Sequence, residues 1–184
     1  MNRRNFIAAS VAGMAGLMIS NETFAKSADK LDLEQRVGEL LKAHNLTVAT
    51  AESCTGGLVA SRLTDVPGAS AYVKGGVVAY WNEIKRNILH VKAETLEKFG
   101  AISRQTALEM ATNVREIFGT TIGLSTTGVA GPSTSEGKPV GLVYVAVVGE
   151  NFSEVKECHL SGSRTEIKFQ AADEAFNLVI KHTA

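Results

Sequence analysis

The chain has 184 residues, 45% of them hydrophobic and 21% charged, a composition that suits one globular domain and excludes disorder over most of its length. Lys and Arg number 19, matched by 19 Asp and Glu, so no general field draws the protein to nucleic acid or to an anionic membrane, and a bound anion must be held locally. Cys54 and Cys158 fit none of the paired spacings of zinc or thioredoxin-like sites, and His44, His90, His159 and His182 are scattered, which argues against a metal centre.

Residues 1–25 open on Arg3 and Arg4, continue through a mildly apolar run from Phe6 to Ile19, and end on Thr23-Phe24-Ala25. The pattern is that of a twin-arginine export signal, with the mature chain beginning near Lys26 and a periplasmic destination. A frayed amphipathic helix on a cytoplasmic protein is the alternative. The apolar run is too short to stay as a membrane anchor, so no stable membrane insertion is expected.

From residue 30 to 184 one domain follows, without a linker or an internal repeat. Leu33, Val37, Leu40 and Leu41 recur at helical spacing, with Asn45 as a stop. "LTVAT" (46–50) reads as a strand, and Gly56-Gly57 leads into a short helix carrying Leu58, Val59 and Leu63. "YVKGGVVAYW" (72–81) reads as a second strand, its glycine pair marking a bulge or a close backbone approach. Ser103 stands at an N-cap, and Ala107, Met110, Ala111, Val114 and Phe118 form an apolar stripe that ends at Gly119. "TIGLSTT" (121–127) and "GLVYVAVV" (141–148) have the continuous apolar character of central strands, and "VKECHL" (155–160) of an edge strand. Ile167, Ala171, Ala175, Phe176 and Val179 line one face of a last helix. The interleaving predicts an α/β fold, a three-layer α/β/α sandwich on a mixed sheet.

Chemistry concentrates at the corner after the first strand, where "SCTGG" crowds a hydroxyl, a thiol, a second hydroxyl and two glycines. Ligands of open α/β sheets collect at such carboxyl ends. Ser53 there could be a nucleophile, with amides of Cys54, Thr55, Gly56 and Gly57 receiving an anion or an oxyanion; the plainer reading is that Ser53 or Thr55 caps the helix. Tyr80, Asn82 and Lys85 in "AYWNEIK" follow the second strand, where a helical turn aims them at the same end of the sheet. A Ser–Lys pair is a known activation device and requires Lys85 to be neutral part of the time; the alternative is a solvated lysine beside a packed tyrosine. "TTGVAGPSTSEGKPVG" (126–141) is rich in turn residues and suits a ligand cradle or a long hairpin connection. Arg164 opens the last helix, where a cation is mildly unfavourable for the helix dipole and is better explained by an anion.

Together "TAESCTGG", "GGVVAYWNEIK", "GVAGP…KPVG" and "GSRTEIKFQ", in this order and at these intervals, resemble the CinA C-terminal domain family, whose stand-alone members include nicotinamide mononucleotide amidases. The resemblance spans residues 30–184 and implies a deamidase that converts nicotinamide mononucleotide to nicotinate mononucleotide and ammonia, with a small-molecule nucleotide substrate, no metal or organic cofactor, and a homo-oligomeric state. It implies Ser53 as nucleophile, Lys85 as general base and Tyr80 as an assisting hydroxyl. Asn82, Gly128, Ala130 and Gly131 resemble pocket residues, and Arg164 with Gln170 matches the family pattern "GDRxxxRxQ". The chain departs from that pattern at Ser163, where the family has Asp, and at Lys168, where it has Arg, and the loop from Pro132 to Lys138 lacks the usual glycine pair. A non-catalytic paralogue that binds a nucleotide or small anion, and a competence-associated interaction protein, are the rival expectations.

Overall fold

Val48–Glu52 (β1), Val73–Val78 (β2), Ile122–Gly128 (β3), Leu142–Val148 (β4) and Ser153–His159 (β5) form one open sheet in the order β2-β1-β3-β4-β5. A computed structural model describes residues 31–184; the signal-like segment lies outside the described residues. β2, β1 and β3 run parallel, whereas β4 is antiparallel to both β3 and β5. β5 therefore points the same way as the three parallel strands, and the carboxyl ends of β1, β2, β3 and β5 gather at one end of the sheet.

Six helices accompany the sheet among the described residues: Leu31–Ala43 (α1), Leu58–Thr64 (α2), Asn82–Asn87 (α3), Ala93–Phe99 (α4), Arg104–Phe118 (α5) and Arg164–Thr183 (α6). Strand side chains alternate between two cores. Val143, Val145 and Val147 join Ile122, Leu124, Val37, Leu41, Leu63 and the apolar face of α6, while Ala146 and Val148 turn to Ala107 and Ala111 of α5. Ala49 and Ala51 meet Met110 and Val114 on that second face. The three-layer α/β/α sandwich on a mixed sheet is thus the observed architecture. Arg62 of α2 is buried and pairs with Glu34 of α1 and, at 2.7 Å, with Asp173 of α6, fastening one helical layer together.

Local chemistry explains where the elements begin and end. Ser103 Oγ accepts from Thr106 N at the start of α5, and Gly119 closes it at φ 59°, a left-handed conformation that suits glycine. β1 begins two residues later than the pattern "LTVAT" suggests, because Thr47 is engaged outside the strand: its carbonyl accepts from Thr121 Oγ1 (2.8 Å) and its amide donates to the same oxygen (2.7 Å). At its far end β1 runs on through Glu52, two residues beyond the expected end at Thr50. β2 is shorter than "YVKGGVVAYW", since Tyr72 is fully buried before it and Trp81 leads into α3. The glycine pair marks both features expected of it: the register slips between Val48 and Ala49 opposite Val73 and Gly75, and a Cβ on Gly76 would collide with Thr50. α4 was not distinguished in the sequence.

Candidate active site

The corner after β1 is built around Glu52 rather than around a hydroxyl cap. Glu52 is 1% exposed; its Oε2 accepts from Thr55 Oγ1 (2.7 Å), Gly57 N (2.9 Å) and Val59 N (3.0 Å), and its Oε1 from Ala60 N (2.8 Å). The cap position itself is Gly57, at φ 97° and without a side-chain bond of its own. Neither Ser53 nor Thr55 caps α2, and of the four amides expected to receive an anion that of Gly56 is taken by Ser53 O and that of Gly57 by the protein's own carboxylate. Removing it leaves buried amides and the Thr55 hydroxyl without their acceptor, so Glu52→Ala is expected to lose about 3 kcal/mol of stability, read as a drop in the urea midpoint.

Relieved of capping, Ser53 faces a cavity. Its amide donates to Thr126 O (2.9 Å), extending the β1–β3 ladder by one step, and its side chain sits at the carboxyl end of the strand, 8% exposed. Lys85 arrives from α3, which starts just beyond the neighbouring parallel strand β2. Lys85 Nζ donates to Ser53 Oγ at 3.0 Å and to the carbonyls of Ala79 (2.8 Å) and Tyr80 (3.5 Å). The side chain is 2% exposed, and burial brings its pKa down to about 8, against smaller opposing effects of Cys54 and Glu136. A neutral amine has two N–H donors and one lone pair. Two carbonyls for the donors and the Ser53 hydroxyl for the lone pair match that count, so the free base is already oriented for taking the serine proton.

Cys54 also lines the cavity, yet burial pushes its thiol up to about 12, and its own amide and that of Thr55 lie against the sulfur. It stays a thiol at neutral pH. Those two amides are not drawn into the Glu52 cap.

The third parallel strand supplies the opposite wall. Gly128, Ala130 and Gly131 line the cavity beyond β3, and a Cβ on Gly128 would stand 2.6 Å from Leu142 O, so β4 can pass only a glycine there. Asn82, the first residue of α3, lines it as well. Arg164, at the start of α6, reaches across: Nη1 donates to Gly131 O (2.6 Å) and Nη2 to Tyr80 Oη (2.7 Å). Tyr80 thus offers its main-chain carbonyl to Lys85 and its hydroxyl to Arg164. The cavity holds about 310 Å³, room for a small-molecule ligand.

The cavity lining omits four of the residues expected to bind substrate. Thr55 is fully buried, its hydroxyl shared between Glu52 and Thr126; the Gly56 amide is held by Ser53 O and that of Gly57 by Glu52; Gln170 Nε2 donates to Ser161 O (2.8 Å). The departure at Ser163 is benign for the fold, because Ser163 and Glu166 form a capping box on α6 and serine replaces aspartate well at that position. The sequence did not reveal Glu136. From the loop after β3 it lines the cavity and accepts from Ala101 N (3.0 Å) and Ile102 N (3.2 Å); one acidic residue in a Ser- and Gly-rich loop carries no signal of such a reach. Among the described residues no cluster of three or more His, Cys, Asp or Glu side chains is placed to hold a metal ion.

Residues 30–183 match the model of the CinA C-terminal domain. The chain belongs to this family. Among CinA relatives, a competence-damage inducible protein of Desulforamulus reducens is 50% identical over 159 residues, covering 86% of this chain and 38% of the relative, and one of Acetivibrio thermocellus is 49% identical over 157 residues, with 85% and 38% covered. The chain thus spans well under half the length of these two relatives. Solved CinA structures agree in fold: the competence/damage inducible protein CihA of Agrobacterium tumefaciens superposes with a TM-score of 0.80 at 41% identity, covering 83% of this chain and 94% of that one. A CinA superfamily protein of Klebsiella pneumoniae gives 0.81 at 33% identity, with 83% and 96% covered.

Proposed function

We propose that this CinA domain is an amidohydrolase that deamidates nicotinamide mononucleotide to nicotinate mononucleotide and ammonia. One observation carries the reading: a buried lysine whose amine, poised near neutrality of charge at about pH 8, stands 3.0 Å from a serine oxygen in a cavity. A solvated lysine would be protonated and useless as a base.

In the reaction, Lys85 Nζ accepts the Ser53 hydroxyl proton as Oγ attacks the carboxamide carbon. The amides of Cys54 and Thr55 are the donors next to Ser53 for the resulting oxyanion, a contribution of about 3 kcal/mol for each well-placed bond. Collapse of the tetrahedral intermediate breaks the C–N bond, and the Lys85 ammonium returns its proton to the departing nitrogen, releasing ammonia. Lys85 then takes a proton from water as its oxygen attacks the Ser53 ester, and returns that proton to Ser53 Oγ as the C–Oγ bond breaks; the freed acid ionises to the carboxylate and Lys85 is again the free base. Tyr80 and Arg164 steady the rim of the cavity, and the Arg164 guanidinium offers a fixed positive charge to the phosphate end of the substrate.

The direct test is incubation of the protein with nicotinamide mononucleotide and assay of ammonia; binding without ammonia release would mark the chain as a non-catalytic paralogue. Arg164→Met is expected to raise KM about tenfold and to change kcat less, because the lost interaction is with a part of the substrate that does not react; steady-state kinetics reads the split.

Two features extend the proposal. The twin-arginine pattern of residues 1–25 supports a periplasmic site of action, with the cytoplasm as the alternative. Val78, Trp81, Ile84 and Ile88 are exposed along edge strand β2 and α3, and an apolar sheet edge of this kind supports a homo-oligomer in which a second copy covers it.

A further inference from the structure

Glu136 is the single acidic side chain among the described residues that line the cavity, which it shares with Lys85 and Arg164. Its place is fixed from several sides. The residue itself adopts φ 52°, its carboxylate accepts from the amides of Ala101 and Ile102, and Lys138 Nζ lies 3.3 Å from Oε2. Lys138 is not part of the lining; its ammonium donates to Glu136 Oε2, with which it is ion-paired from outside the cavity, and to the carbonyls of Phe99 and Ile102. The carboxylate is 31% exposed, and its charge is felt at Lys85, where it works against the effect of burial.

A carboxylate in an amidase pocket is not needed for acyl transfer. It obstructs the reaction's product, which is itself a carboxylate. Its presence is explained if the ring that carries the amide is cationic. Resting on the amidase reading, we infer that Glu136 is the specificity-determining group that selects N-alkylated pyridinium carboxamides over uncharged aromatic amides, and that helps to expel the acid once it forms. The ring stays cationic in the product, but the new carboxylate adds a repulsion that the neutral amide lacked, so one fixed charge favours entry and loosens the hold on the product. With Arg164 at the rim, the cavity holds a cation-attracting group and an anion-attracting group on separate segments, a pairing suited to a zwitterionic nucleotide.

The test compares nicotinamide mononucleotide with its 1,4-dihydro form, which keeps the ribose phosphate and the carboxamide but lacks the ring charge. Dissociation constants are measured by calorimetry on Ser53→Ala and on Ser53→Ala/Glu136→Gln. The Gln side chain retains an oxygen for the Ala101 and Ile102 amides. On Ser53→Ala the charged form should bind about tenfold more tightly, and on the double variant the two should agree within about twofold. Near-equal binding to Ser53→Ala, or a ratio untouched by Glu136→Gln, would overturn the inference. If the double variant does not fold, raising salt from about 0.05 to 0.5 M on Ser53→Ala reads the same charge: the ratio should narrow, and a constant ratio refutes the role. Ammonia release by the unaltered protein is scored separately. A large binding ratio without ammonia would sink the amidase reading and leave Glu136's selectivity standing; ammonia release with equal binding would do the reverse.

Discussion

Ser53→Ala is expected to reduce ammonia release from nicotinamide mononucleotide by at least about a thousandfold, the scale on which removal of a nucleophile acts when the rest of its site is intact. The fold should be unaffected. The Ser53 hydroxyl has Lys85 Nζ as its partner, and that amine keeps the carbonyls of Ala79 and Tyr80 when the hydroxyl is gone. Ammonia assays alongside melting curves therefore separate the two effects: a lost reaction on an unchanged melting temperature is the predicted result, and an active Ser53→Ala protein would remove the mechanism.

Lys85→Met should reduce turnover to a similar degree, and it also carries a signature in pH. Because the free amine is the working form, turnover of the unaltered protein should rise with pH through about 8, the value to which burial brings Lys85. Stability should respond in the same window with a definite sign. In the unfolded chain the lysine returns to its ordinary 10.5, so between about 8 and 10.5 the unfolded state holds a proton that the folded state has released. Stability then increases with pH across that interval, by up to about 3 kcal/mol, whereas below 8 both states are protonated and the penalty of a buried ammonium is constant. The methionine variant lacks this contribution. Urea denaturation of both proteins at about pH 7.5 and about pH 10 should show a steeper rise for lysine than for methionine; parallel behaviour would mean that Lys85 is not buried as a charge-sensitive base.

The sheet was readable because its strands obey simple rules. The run 141–148 is almost wholly apolar and 121–127 carries no charge, and the strands found there are covered by helices on both faces. The stripe from Ala107 to Phe118, bracketed by Ser103 and Gly119, left little freedom for α5. Ser53, Tyr80, Asn82, Lys85, Arg164 and the glycine-rich loop were singled out from separate segments, and the parallel strands carry them to one cavity, Ser53 and Lys85 in contact. What stayed hidden depends on long-range placement. Glu52 was not singled out, since nothing local announces a carboxylate folded inward onto the helix that follows it. The Tyr80 hydroxyl was expected near the amine, but its partner comes from α6, 84 positions along the chain. Glu136 reaches the connection between α4 and α5 from 34 and 35 positions away, a separation at which sequence spacing carries no information. The Lys85 environment falls between these cases: its place after the second strand made it a candidate partner of Ser53, but only the packed structure gives the amine its two carbonyls.

The inward turn of Glu52 also bears on how this scaffold can change its ligand. The α2 amides that Glu52 already holds offer no main-chain grip to an incoming phosphate, so under the proposed function recognition at that end of the pocket falls to replaceable groups such as the Arg164 guanidinium. A single codon change there can alter which anionic tail is accepted and leave the backbone untouched. In the proposed reaction, chemistry at Ser53 and Lys85 and selectivity at Arg164 are thereby housed on different parts of the polypeptide, so that one can change while the other is kept.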